Sequence, residues 1–343
     1  MNGPTSVIVL AAGQGTRMKS DLPKVVHPLA GVSLLGHALR AARGIDPDHV
    51  VAVVRHQRDI VAAEATAVDA DVIIADQDEI PGTGRAVQCG LAALAEATGP
   101  IEGTVIVTSG DVPLLQADTL RELATLHADS GVDATILTTI VDDPTGYGRI
   151  VRDDNAAVQA IVEQRDATDE QRAIQEINAG IYAFDGPFLD AALANVGTDN
   201  DQGEVYLTDV IAAAAAGERG AAALILTDEW QARGCNDRIQ LAELGAEFNR
   251  RINERLMADG VTIVDPAGTW IDIDVAVAND TTILPGSVLK GRTTVGPKCE
   301  IGPHTTLVDA EIGAGARVPA AWIENASVAA DTMVAPNSVI GRN

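Results

Sequence analysis

From Ile271 onward the chain repeats itself every six residues. Ile271, Val277, Ile283, Leu289, Val295, Ile301 and Leu307 recur at intervals of six; after a phase slip Ile312 and Val318 resume the pattern, and after a second slip Val328, Val334 and Ile340 continue it. A strand alternates with period two and a helix repeats at about 3.6, so neither produces this spacing. One short strand and one turn per hexad does. The aliphatic residue points into a prism, and the Gly, Ala or Pro that often follows, as in Ile301-Gly302 and Val334-Ala335, sits where the backbone turns a corner. The spacing predicts a hexapeptide parallel β-helix with three hexads to a coil, so that Ile271 to Asn343 makes about four coils.

The first two-thirds of the chain has a different grammar. Short β-branched runs such as Val7 to Leu10, Val50 to Val54 and Val105 to Thr108 alternate with Ala/Leu-rich stretches such as Leu34 to Arg43 and Arg85 to Ala97. That alternation predicts an α/β fold, a mainly parallel sheet covered by helices on both faces, with ligands bound beyond the carboxyl ends of the strands. Between them, Ile239, Leu241, Leu244, Phe248, Ile252 and Leu256 fall at mixed three and four spacings, which predicts an amphipathic connector helix. The expected division is therefore 1–235, 236–260 and 261–343, and 343 residues is a length that accommodates it.

Charge narrows the choice of partners. Asp and Glu number 49 against 24 Lys and Arg, a formal charge of −25, which is the wrong sign for tracking nucleic acid or an anionic membrane. A small anionic substrate must then be met by a few locally placed cations. Cys89, Cys235 and Cys299 are odd in number and in no metal-binding spacing, so they are expected to be small core residues. The apolar run at Val7 to Leu10 is too short for a signal-peptide core and no stretch reaches membrane-spanning length, so a cytoplasmic protein without membrane insertion is expected.

The sharpest local motif opens directly after the first predicted strand: Leu10-Ala11-Ala12-Gly13-Gln14-Gly15-Thr16-Arg17-Met18, running on to Pro23-Lys24. Glycines let backbone N–H groups approach a phosphate, and Arg17 and Lys24 supply positive charge. A dinucleotide-binding fingerprint fails, because Met18 stands where its third glycine belongs. A Walker loop fails too, since no GK[ST] closes it. A bland strand-to-helix turn explains the glycines but not the two cations.

This segment resembles the sugar-1-phosphate nucleotidyltransferases, whose signature L-x2-G-x-G-T-R-M-x4-P-K is matched at every fixed position. More narrowly, nearly the whole chain is similar to the bacterial bifunctional N-acetylglucosamine-1-phosphate uridyltransferase/acetyltransferase family. The resemblance implies a Rossmann-like nucleotidyltransferase domain, a left-handed β-helix, a homotrimer formed through that β-helix, and Mg²⁺-dependent synthesis of UDP-N-acetylglucosamine from UTP and N-acetylglucosamine 1-phosphate for cell-wall precursors. It implies nucleotide contacts from Leu10, Ala11, Ala12, Gly13 and Gly15, with Gln77 reading the uracil edge and Gly82 and Thr83 approaching the nucleotide. It implies sugar contacts from Ser109, Gly148, Glu163, Asn178, Tyr206 and Thr208, and metal ligation by Asp111 and Asn236. Read as isolated residues, Asp111 is equally a turn residue and Asn236 a helix cap. Ser109, where relatives can carry Tyr, and Ile80-Pro81 depart from the family pattern without removing a charged group.

The implied nucleophile is already an anion, since a phosphate monoester has a second pKa of about 6, so no general base is required. None of the six histidines sits in a recognisable nucleophile-base motif, and His27 reads as a packing residue. Catalysis would rest on Arg17 along the departing phosphates and Lys24 near the attacking or α-phosphate oxygens. The acetyl-CoA site of the resembling family lies on later coils, so acetyltransferase activity is expected to be absent. Two competing readings are a nucleotidyltransferase for another base or sugar and a silent trimeric scaffold or regulatory subunit.

Overall fold

A computed structural model describes residues 3–197 and 203–342; Asn343, the last residue of the expected β-helix, lies outside them. By compactness the chain divides into two units. The first runs to Gln240 apart from the segment Pro28–Val32, which belongs to the second with Leu241 onward.

The first unit is built on a nine-stranded sheet. Its strands in chain order are β1 (Thr5–Leu10), β2 (His49–Val54), β3 (Ile73–Asp76), β4 (Thr104–Ser109), β5 (Ala134–Ile140), β6 (Arg149–Arg152), β7 (Val158–Val162), β8 (Glu176–Asp185) and β9 (Ala221–Leu226). They lie in the order β9-β5-β8-β4-β1-β2-β3, with β6 pairing β8 and β7. The pairs β4-β1, β1-β2, β2-β3 and β9-β5 are parallel; β8 runs antiparallel to β4 and β5. Alternate strand residues feed opposite cores. Val7, Val9, Ala52 and Ile106 pack with Leu39 of α1 (Leu34–Arg43), Val61 of α2 (Arg58–Val68) and Leu123 of α4 (Ala117–Ser130). Ile8, Val53, Val105 and Val107 pack with Leu91 of α3 (Thr83–Thr98), Leu189 of α5 (Gly186–Leu193) and Ile211 of α6 (Thr208–Ala216). Burial on both faces explains why the central strands read as continuous apolar runs.

In the second unit the amphipathic segment is a single helix, α7 (Arg238–Ala258), whose first three residues belong to the first unit. Buried Asn249 ties it to the coil beside it: the side-chain amide donates to the Thr269 carbonyl at 2.8 Å and its oxygen accepts from the Ile271 amide. The repeat then forms three parallel ladders, stacking coil on coil, with Ile283, Leu289, Ile301, Leu307, Val318 and Ile323 inside and fully buried. The hexapeptide β-helix predicted by the spacing is the fold observed.

Two features go beyond the sequence reading. Leu289 pairs with Leu307, eighteen residues on, but Leu307 pairs with Ile323, only sixteen on. Ile323 is the core residue concealed in the second phase slip: residues are lost at corners while the ladders stay in register. The inward position two residues before each aliphatic records this shortening. It holds Thr269, Val275, Thr281, Ser287, Thr293, Cys299 and Thr305 in the first coils, then Ala310, Ala316, Ala321 and Ala326 across the two slips, and Thr332 and Ser338 at the end. Across the slips the position is taken by alanine, and Ala310, Ala316 and Ala321 are 0–5% exposed. The corners use positive φ at Gly286, His304, Ala320 and Asn337 in successive coils, so residues other than glycine also take the left-handed turn.

Candidate active site

The motif loop leaves β1 at its carboxyl end. The Ala11 amide donates to the Val53 carbonyl of β2 and the Gly110 amide to the Leu10 carbonyl, so the loops after β1 and β4 lie side by side. Leu10, Ala11 and Ala12 line this exit, while Gly13 is open: a Cβ there would meet nothing within 4 Å. Gly15 takes φ near 63° and opens a short 3-10 turn over Thr16–Met18, whose anchor is the buried Met18 side chain. That turn leaves Arg17 exposed.

Lys24 returns to the same place. Its ammonium donates to Asp111 Oδ2 and lies 3.3 Å from Asn236 Oδ1, which also accepts from the Arg17 guanidinium at 2.8 Å. Four residues named from sequence, Arg17, Lys24, Asp111 and Asn236, thus converge from three distant segments. Asp111 is oriented twice over. Ser109 donates to its Oδ1 at 2.7 Å, and its carbonyl accepts from the Cys235 amide.

The second loop holds Gln77, whose amide nitrogen donates to the Ile80 carbonyl at 3.0 Å and the Gly82 carbonyl at 3.3 Å. Gly82 has φ near 117°, and a Cβ on it would lie 2.3 Å from the Val205 carbonyl oxygen. Gly84 donates to that same carbonyl and the Leu207 amide donates to the Thr83 hydroxyl at 3.2 Å. The expected nucleotide loop is therefore stitched to the segment carrying Tyr206 and Thr208, both buried.

The remaining sugar candidates also come together. A Cβ on Gly148 would lie 3.5 Å from both the Asn178 Cβ and Glu163 Oε1, and the Asn178 amide donates to the Gly148 carbonyl. Asn178 sits where the β8 register shifts against β5, a bulge that re-aims its side chain. That side chain donates to the Tyr182 hydroxyl at 2.7 Å and accepts from the Gly180 amide. Burial and the nearby Asp166 raise the Glu163 carboxyl above the ordinary range, a shift the Thr208 hydroxyl partly offsets by hydrogen bonding to it.

A family model described as a MobA-like NTP transferase domain matches residues 7–177. The Bifunctional protein GlmU of Kineococcus radiotolerans is 54% identical over 97% of this chain and 67% of its own length. That of Paenarthrobacter aurescens is 51% identical over the same shares, and that of Corynebacterium efficiens 49% identical over 98% of this chain and 69% of its own length. The chain belongs to the GlmU family. It spans about two-thirds of the length of these relatives.

GlmU membership suits the donor set at Lys24. Among the described residues no three His, Cys, Asp or Glu side chains cluster as a metal site. Mg²⁺ asks for less, one or two protein oxygens with phosphates and water completing the shell. Asp111 Oδ2 and Asn236 Oδ1 already share one cation, the Lys24 ammonium, and so fit that requirement. Among the described residues no helix is long and apolar enough to cross a membrane.

Sequence reasoning gave no role to several residues that hold these groups. Arg238 Nε donates to the Met18 carbonyl at 3.0 Å, anchoring the turn that carries Arg17, and Gln240 accepts from the Asn236 amide at 2.7 Å. Neither has a motif signal, because each acts on backbone. Cys235 is fully buried and its thiol is pushed up to about 11 by burial and by Asp111, which makes it inert. His27 is buried as well, its pKa lowered by desolvation and by Arg238, in keeping with a packing role.

Proposed function

We propose that the chain transfers a uridylyl group from UTP to N-acetylglucosamine 1-phosphate, giving UDP-N-acetylglucosamine and pyrophosphate, a reaction that supplies cell-wall precursors. The observation that carries the reading is the convergence of Lys24, Arg17, Asp111 and Asn236 beside an open glycine loop at the carboxyl edge of the sheet. A phosphate oxygen of the sugar phosphate bonds to the α-phosphorus as the bond to the β-phosphate oxygen breaks. The nucleophile arrives ionised, so the protein supplies position and charge.

Arg17, exposed on its turn, meets the departing phosphates, and Lys24 meets the oxygens between which the uridylyl group moves. Asp111 and Asn236 would hold Mg²⁺, which when bound would neutralise charge on the phosphate oxygens. Gln77, Gly82 and Thr83 border the base and ribose. Ser109, Gly148, Glu163, Asn178, Tyr206 and Thr208 border the acetylated sugar, with carboxylate, amide and hydroxyl groups suited to its hydroxyls and amide.

The β-helix supports a homotrimer. On one of its three faces the outward positions in register are Trp270, Val288, Thr306, Trp322 and Val339, with Trp270 46% and Val339 63% exposed. The other two faces present Thr262, Thr282, Glu300 and Arg317, and Ala276, Thr294, Glu311 and Ser327. One of those two faces ends in a single exposed apolar residue, Met333, which bridges to Arg317, whereas a ladder of apolar residues along a whole face is the pattern of a surface covered in an assembly.

The test is Mg²⁺-dependent pyrophosphate release from each nucleoside triphosphate paired with N-acetylglucosamine 1-phosphate, glucosamine 1-phosphate or glucose 1-phosphate, with EDTA as control. Release confined mainly to UTP with the acetylated sugar is expected. Release from another pair reassigns the substrate, and none from any pair leaves a scaffold.

A further inference from the structure

Arg149 is 1% exposed, the bulkiest fully buried side chain among the described residues, and among them the only carboxylate acting on it, Asp143, does so without a salt bridge. A cation kept this deep without a salt-bridge partner is a poor way to stabilise a core, since desolvation opposes it. Its Nε has no hydrogen-bond partner, NH2 reaches the Arg172 carbonyl only at 3.5 Å, and the shorter bonds all go to one loop and its neighbour. NH1 donates to the Tyr147 carbonyl, and NH2 donates to Gln164 Oε1 at 2.7 Å. The same Gln164 oxygen accepts from the Gly146 amide at 3.2 Å. One guanidinium and one amide oxygen thus grip the Thr145–Gly146 and Tyr147–Gly148 peptide units, on either side of the Gly146–Tyr147 peptide, in the loop that ends at Gly148.

We infer that Arg149 and Gln164 form a clamp that positions the Gly146–Gly148 backbone to receive the sugar 1-phosphate, which makes both of them positioning residues for that substrate. The inference rests on the sugar assignment proposed above. The held backbone leads directly into Gly148, whose carbonyl accepts from Asn178 and whose α-carbon faces Glu163. No clamp contact reaches the nucleotide loop, whose own ties run from Gln77, Gly82 and Thr83 to other partners. Lysine cannot reproduce the grip, because one ammonium lacks the planar fork that spans a carbonyl and an amide oxygen together.

The experiment is steady-state pyrophosphate release by the full chain and its Arg149→Lys, Arg149→Met and Gln164→Leu variants, with each substrate varied in turn. Thermal unfolding of each variant is followed alongside. The expected result is a KM for N-acetylglucosamine 1-phosphate raised about tenfold or more in all three, with the KM for UTP changed by less than about twofold. A wild-type enzyme that works on this pair while the variants keep its sugar KM, or lose both KM values in parallel, overturns the clamp alone. If Arg149 variants fail to fold, Gln164→Leu carries the same comparison. A folded wild-type protein inactive with the pair overturns the functional reading, and the clamp's sugar role with it.

Discussion

Gly15 lies so close to Lys24 that a Cβ on the glycine would stand 2.4 Å from the Cβ of the lysine. The glycine also holds φ near 63°, a conformation that disfavours any side chain by about 1–2 kcal/mol. Gly15→Ala therefore displaces Lys24 from Asp111 and Asn236 while leaving the sheet intact. The expected outcome is a loss of about a hundredfold in kcat with an unchanged far-UV circular dichroism spectrum. A variant with normal turnover would separate the glycine from the lysine's placement.

Lys24→Ala is expected to reduce turnover most, by about a hundredfold or more at saturating substrates. Asp111→Ala is expected to abolish the Mg²⁺-dependent part of the rate, since it removes the carboxylate of the proposed pair. Pyrophosphate release with and without EDTA measures both, and near-normal rates in either variant remove that residue from the mechanism.

Glu163 titrates above the ordinary glutamate value of 4.5 because burial and Asp166 disfavour its charge. Between those two pKa values the native state binds more protons than the unfolded chain, so this group lowers stability as pH rises through that window. Glu163→Gln removes the effect. Its melting temperature is expected to gain on wild type as pH rises from the ordinary glutamate range toward neutrality, while its KM for the sugar phosphate increases. A stability difference that does not move with pH would show that Glu163 does not titrate in this window. Thr208, Asp166 and Asp209 are the groups that face it.

Ala316 fills the inward slot of a shortened coil that Thr293 and Thr305 fill in earlier ones. Ala316→Thr is expected to destabilise the β-helix by about 1–3 kcal/mol through overpacking. Differential scanning calorimetry of the full chain reads the shift. An unchanged transition would show that the shortened coils have room to spare.

Trp270 and Trp322 stand on the same apolar ladder of the β-helix. Replacing both with Glu places charges where the proposed assembly would bury them, and sedimentation velocity is expected to show the monomer in place of a trimer. A wild-type chain that sediments as a monomer ends the proposal.

Much of this molecule is legible in its residues, and the reasons are local. The hexad declares a β-helix because each aliphatic must face inward once per strand, and the β-branched runs at Val7, Val50 and Val105 declare a sheet buried on both faces. Ile323 was hidden because a missing corner residue breaks the period without breaking the ladder. Arg17 and Lys24 stood out as paired cations in a glycine loop of an acidic chain.

The sequence by itself determined the two architectures and singled out Arg17 and Lys24 as the cations of a glycine loop, since period, glycine placement and charge are properties of neighbouring residues; the candidate list for the sugar came from the family resemblance. Only the tertiary structure decided that Asn236 meets Arg17 and Lys24 across more than two hundred residues, that the Cys235 amide donates to the Asp111 carbonyl, and that Arg149 meets Gln164 on another strand's exit. Those pairings follow from the order in which the strands are laid into the sheet, and no local pattern encodes which distant side chain a buried guanidinium will find.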